Sequence, residues 1–288
     1  MKFTCKDLKG QSFENKELMF AALKASKEEI KALKKSAIKF SDAVDYFVKS
    51  ILEDTGVEKG GGSGAKLTYG DYVYPIINTT NYLDSHGDVH IPGIWDKSVE
   101  AQQGKTYLII NHDLSLGNVI GYPKDVEMML KSLPWSQLGQ GYEGETQALI
   151  FKTKMTEKAN QSAYMAYRDG EDIQHSIRMQ YVKIELAIDD ASDNYKDEKA
   201  VFDKYISQIA NKGKAIEQGY FWAVTEAKIY KEGSAVLFGS NDATPTLYSL
   251  EENKDIQPPT SIENKAEPPT STQNDGERES LLFNPNII

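Results

Sequence analysis

From about Lys66 to Leu250 the chain is a succession of short runs rich in Val, Ile, Tyr and Phe, cut by Gly, Asp and Asn: "YVYPIINTT", "TYLIINH", "ALIFKTKM", "HSIRMQYVKIELAI", "GYFWAVTEAKIY" and "SAVLFG". β-Branched and aromatic side chains pack well on a pleated surface, whereas Gly, Asp and Asn punctuate it, so the pattern predicts a mainly β domain. Two stretches interrupt it with helical composition, "TEKANQSAYMAYRDG" and "DEKAVFDKYISQIANKGKAIEQG". In the second, Val201, Tyr205, Ile206 and Ile209 keep helical spacing. The expectation is a sheet or barrel with helical crossovers over residues 66–248.

The preceding residues read differently. Ser26-Lys27-Glu28-Glu29 spells a capping box. Behind it Ile30, Leu33, Ala37 and Ile38, interrupted by Lys34, make a thin apolar stripe, which predicts a largely solvated helix. Ser41 is placed to cap a stronger helix carrying Val44, Phe47, Val48, Ile51 and Leu52, with Gly56 stopping it. "KGGGSG" follows and has the composition of a flexible linker. The expected organisation is an N-terminal helical segment (1–58), a Gly-rich linker (59–65), the β domain, and a tail (249–288). From 251 to 288 the chain carries eight acidic and three basic residues, Pro pairs and no Tyr or Trp, a composition that predicts disorder, and ends on the apolar tip "LLFNPNII".

At 288 residues the chain can build one substantial core with appendages. A net charge of -10 argues against nucleic acid as a partner. Cys5 is the single cysteine, which excludes a disulfide framework and fits a reducing compartment. No apolar run approaches the roughly 18 residues of a membrane span and the N-terminus lacks a signal-peptide core, so the expected location is cytoplasmic, without a membrane partner.

The four histidines are His86, His90, His112 and His175. His86 and His90 stand four apart, but Gly87 and Pro92 make their segment a loop, where Asp84, Ser85 and Asp88 can satisfy backbone groups; a metal is not expected. Asp54-Thr55-Gly56 spells an aspartic-protease triplet but follows a helix and enters the Gly linker, where it reads as a helix stop. His112 is different. It terminates the apolar run "TYLII" in Asn111-His112-Asp113, where an imidazole projecting from a sheet edge can take a proton from a hydroxyl. The candidate hydroxyl is Ser176, which opens a strand of alternating pattern; the orienting acid is Glu226 or Glu232, strand carboxylates of the same parity.

The order of these segments resembles the tailed-phage prohead (capsid maturation) serine proteases, which share a fold with the herpesvirus assemblins. Asp84, Gly87, Asp88, Pro92 and Gly93 match that family's acidic turn. Asn111-His112-Asp113 with Gly117 and Gly121 matches its histidine strand, Ser176-Ile177-Arg178-Met179 its nucleophile stretch, and Glu232-Gly233-Ser234-Ala235-Val236 with Asn241 its closing strand. Two departures stand out. Arg178 replaces the usual glycine two residues after the nucleophile, where it either stabilises an oxyanion or marks an inactive relative. A long insert, about residues 189–219, separates the nucleophile strand from the acidic strand and is placed to cover the site or contact other subunits.

The resemblance implies an α+β fold whose mainly antiparallel β-barrel protease core is flanked by helices. It implies a serine endopeptidase with nucleophile Ser176, general base His112 and orienting acid Glu226, Glu232 being the alternative, and no cofactor. Substrates would be the scaffold and major capsid protein, and the protease itself, inside the assembling prohead in the host cytoplasm, with self-association. Two other readings stand beside it: a catalytically inactive scaffold or assembly factor of the same fold, and an unrelated β-barrel binding module.

Overall fold

The computed structural model describes residues 2–38 and 67–250. The expected second helix, the Gly linker, the Asp54-Thr55-Gly56 triplet and the acidic tail lie outside those residues. The runs named above become strands, because each offers alternate apolar side chains to a common interior. In chain order the described elements are β1 (Phe3–Cys5), β2 (Gln11–Phe13), α1 (Lys16–Ala25), α2 (Lys27–Ser36), β3 (Tyr72–Thr79), β4 (Asp88–His90), α3 (Asp96–Gln102), β5 (Tyr107–Ile110) and β6 (Val119–Gly121). They continue with β7 (Val126–Pro134), β8 (Glu145–Lys154), α4 (Gln161–Asp169), β9 (Gln174–Ile188), α5 (Lys196–Tyr205), α6 (Lys212–Gln218), β10 (Tyr220–Val236) and β11 (Thr246–Leu247).

Strands β11-β3-β8-β7 form an antiparallel sheet, and β10 is the hub of a second. Along one edge β10 pairs antiparallel with β9 for nearly its whole length, from Tyr220↔Ile188 to Val236↔Gln174. Its other edge is shared by two parallel partners: β4 beside Trp222 to Val224 and β5 beside Glu232 to Ala235. β6 then pairs with β5. The expected barrel does not form: among the described residues no sheet closes, because β6 and β4 are three-residue strands and the β3–β8 sheet ends on its own partners. The fold is a mixed α and β one, with largely antiparallel open sheets.

The N-terminal residues belong to this body. Cys5, Phe13, Met19, Phe20, Leu23 and Ile30 share one buried cluster with Trp222, Ile184 and Leu149, and the described residues 2–38 and 67–250 belong to one compact unit. Residues 3–36 are thus integral, where the linker composition predicted a tethered segment. The capping box does not form: Ser26 is the joint between α1 and α2 and its side chain makes no cap bond. Lys34, expected to interrupt a solvated stripe, is buried. Its ammonium lies 2.6 Å from Asp88 Oδ1 and 2.9 Å from Asp7 Oδ1. Burial alone would push this amine down, but Asp88 and Asp7 outweigh it and hold Lys34 above its ordinary value.

The network continues inward. Tyr181 OH donates to Asp88 Oδ2 at 2.8 Å and lies 3.1 Å from His90 Nε2; Asn78 Nδ2 is 2.9 Å from His90 Nδ1, and Trp95 Nε1 donates to Asn78 Oδ1 at 2.9 Å. Trp222 Nε1 donates to Asp7 Oδ2 at 3.1 Å. A buried charge is tolerable only when paired and hydrogen-bonded, and here each has a partner. Asp84 makes the expected turn, accepting from the backbone N–H groups of His86 and Asp88.

The insert supplies α5 and α6. Phe202, Tyr205, Ile209 and Ala215 pack on Phe221 and Ala223, at the start of β10. Glu198, buried, binds Lys24 and Lys27 of α1 and α2 at 3.1 and 2.7 Å. The insert therefore covers the end of β10 opposite Glu232, about 30 Å away at roughly 3.3 Å per strand residue, and does not roof the histidine.

Candidate active site

The site grows from the C-terminal half of β10. Between Ile229 and Gly233 that strand spends four residues against two on β9, a bulge in which Lys231 takes a positive φ of 69°. Bulges rotate side chains off strict alternation. Further register shifts flank Glu226. The equal parity of Glu226 and Glu232 therefore does not put them in one place, and the structure separates them. Glu226 sits at the surface between Lys97 and Lys183, each at 3.0 Å, whose hydrogen bonds (Lys183 first) hold its carboxyl below the usual carboxylate range. It does not meet the histidine. Glu232 does: fully buried, its Oε1 accepts from His112 Nδ1 at 2.8 Å. This corrects the choice of Glu226 as the orienting acid.

After the bulge, Gly233 and Ser234 restore regular pairing. Gly233 is required by space, since a Cβ there would lie 2.8 Å from Phe151 and 3.1 Å from Ile77. Ser234 stands two residues beyond Glu232, on the same face, and ties the cluster together. Its hydroxyl donates to Glu232 Oε2 at 2.7 Å and accepts from the His112 backbone N–H at 3.0 Å. Across the ladder Ser234 is the direct partner of Ser176. Facing residues of an antiparallel pair point to one side with Cβ atoms about 5 Å apart, which puts Ser176 on the face of Glu232 and Ser234. Ser176 is buried and also borders a cavity of about 20 Å³, with His86, His90, Asn78 and Asn241, large enough for one water.

His112 enters from β5. Asn111 N donates to Ala235 O at 3.0 Å, continuing the parallel ladder for one residue. The chain then leaves it through two successive left-handed residues, Asn111 (φ 51°) and His112 (φ 57°). Asparagine tolerates this region; for other L-residues it costs about 1–2 kcal/mol. The turn is held from both sides: Asp113 N donates to Ile110 O at 3.0 Å, and Asp113 accepts from Ser115 N and Asn118 Nδ2.

Arg178, two residues after Ser176, reaches the same carboxylate. Its Nε lies 3.0 Å from Glu232 Oε1, and its Nη2 donates to the carbonyl oxygen of His112. The guanidinium thus bridges the acid and the histidine backbone. His112 and Ser234 hydrogen-bond the buried Glu232, and Arg178 sets a positive charge 3.0 Å from the same carboxylate.

The chemistry follows from the donor pattern. A carboxylate on Nδ1 fixes the tautomer that keeps the imidazole proton there and makes Nε2 the basic nitrogen. His175, adjacent to Ser176 but on the other face, plays no such part. It is fully buried, with Nε2 3.0 Å from Tyr167 OH and Nδ1 2.9 Å from Thr244 O, and burial pushes it down to about 4. Among the described residues no group of His, Cys, Asp and Glu could hold a metal ion. No described helix is long and apolar enough to cross a membrane.

The structure brings together His112 and Glu232 of the residues expected from sequence, and adds to their cluster Ser234, on which no expectation was placed, and Arg178, in contacts that were not expected. Glu-x-Ser spacing on a strand puts both side chains on one face, a signal that could have flagged Ser234. Compared with protein-family models, curated proteins and solved structures, the chain finds no match.

Proposed function

We propose that this chain is a serine endopeptidase. Ser176 Oγ attacks the peptide carbonyl while His112 Nε2 takes its proton; His112 then returns that proton to the leaving amine as the acyl-enzyme forms, and water repeats the sequence to release the acid. Glu232 holds the imidazole and balances its charge when it is protonated. One observation carries the reading: the 2.8 Å Nδ1–Oε1 contact between His112 and Glu232, on the face to which strand register brings Ser176. The resemblance to prohead proteases supplies the substrates: scaffold and major capsid protein, and the enzyme itself, within a prohead assembling in the host cytoplasm. Self-association belongs to the same proposal.

The test is co-expression with the cognate capsid and scaffold proteins, following their conversion to shorter forms on a gel. Ser176→Ala and His112→Ala should each abolish processing, because a nucleophile and its base act as one unit. Processing that persists in Ser176→Ala refutes the assignment. A second reading, an inactive assembly factor of the same fold, draws on Arg178, whose Nε sits 3.0 Å from the oxygen that orients His112. Wild-type shells that assemble with no processing would favour it.

A further inference from the structure

Arg178 is the residue that a minimal triad does not require. It bridges two groups that must stay in register: the Glu232 carboxylate on β10 and the His112 carbonyl, in a left-handed turn beyond β5. We propose that Arg178 is a positioning residue, a two-point clamp that locks the Asn111–His112 turn against Glu232 and so fixes the imidazole in the orientation that Ser176 needs.

The His112 turn lies where β5 leaves the ladder, so the sheet no longer dictates its backbone. Ser234 anchors the His112 N–H, Glu232 anchors its ring, and Arg178 anchors its C=O. With N–H, ring and C=O each tied, the residue is held at three points, and the left-handed conformation that an L-side chain resists becomes fixed. Arginine suits the post because its delocalised charge lies against the Glu232 carboxylate, 3.0 Å from Nε, while another corner of the same planar group, Nη2, donates to the His112 carbonyl. A lysine ammonium is a compact point charge without the planar fork, so it does not hold these two acceptors in the same geometry. The clamp also explains why a residue two after the serine reaches the acid: Ser176 and Arg178 share one face of β9, and the bulge at 229–233 brings Glu232 onto it.

Mechanistically this rests on the endopeptidase reading, so one readout is independent of activity. In the full-length protein, the low-field proton resonance of the His112 Nδ1–H donated to Glu232 can be followed by NMR and assigned by its disappearance in His112→Gln. The expectation is that Arg178→Lys, which keeps the charge, broadens or shifts this resonance, and that Arg178→Met abolishes it. In the processing assay, both variants should lose about tenfold to a hundredfold in kcat with KM nearly unchanged, the size of effect that a misplacement of about 1 Å produces. A bystander arginine would leave both measurements alone. A resonance unchanged in both variants overturns the proposal; if Arg178→Met does not fold, an unchanged resonance in Arg178→Lys overturns it by itself. Equally, a variant with a lost resonance but wild-type kcat overturns it. A wild-type protein whose resonance broadens or shifts in Arg178→Lys, but which never processes capsid protein, upholds the clamp and sinks the endopeptidase reading instead.

Discussion

Replacing Lys34 by methionine keeps most of the side-chain volume against the Trp222 ring, 5.5 Å from the ammonium, and removes one charge. It leaves Asp88, with no exposed surface, and the nearly buried Asp7 facing each other across the vacated 2.6 and 2.9 Å contacts. Breaking a buried pair from one side costs about 3–5 kcal/mol, because the remaining charge is neither solvated nor paired. For a unit of this size each kcal/mol lowers Tm by about 2–4 °C, so Lys34→Met should melt about 6–20 °C below wild type. Urea unfolding followed by circular dichroism should show the same loss in midpoint at unchanged slope. Lys34→Met/Asp88→Asn should recover part of it, since an amide needs no countercharge and its oxygen can still accept from Tyr181 OH. A solvated lysine on an exposed stripe would instead give a change within about 0.5 kcal/mol. A single variant within about 1 kcal/mol of wild type, or a double no better than the single, would refute the argument that this ion cluster anchors residues 3–36.

Other outcomes follow from the site. Glu232→Gln should lower the processing rate by about 10⁴-fold, as expected when the acid no longer holds the correct tautomer, whereas Glu226→Gln should leave it unchanged; the reverse order would return the role to Glu226. His175 should make stability pH-dependent. Its folded value of about 4 lies below the ordinary 6.5, so between those limits the unfolded chain binds more protons and stability falls as pH drops, by ~3 kcal/mol in all. Denaturant midpoints from pH 7 to 4.5 should show this slope, and His175→Gln should flatten it; the same slope in the variant would assign the effect to other groups.

The strands were legible because their apolar runs are short and punctuated, and the turn at Asp84 because a side-chain carboxylate beside Gly is a local device. What spans the molecule was not. Lys34 reads as a break in a helix stripe; its burial depends on Asp7 and Asp88, the latter 54 residues away, which no local pattern encodes. Glu226 and Glu232 look equivalent by parity, and only bulges in β10, set by its pairing with β9, turn one to the surface and the other to His112. The barrel failed for a similar reason: strand composition says nothing about which edges meet. Linker composition at 59–65 suggested an appendage before it, yet the apolar residues Phe13, Phe20 and Leu23 were present to be buried.

β10 has a further consequence, for the timing of synthesis. It is the shared partner of β4, β5 and β9, yet of these four strands it is the last to leave the ribosome. His112 is made 120 residues before Glu232, and at about 5–20 residues per second that interval lasts roughly 6–24 s. Throughout it, β4 and β5 are nascent edges awaiting a neighbour, the kind of exposed strand that holdase chaperones shield. A chain stalled before Glu232 can carry His112 and Ser176, but not the carboxylate that binds the imidazole.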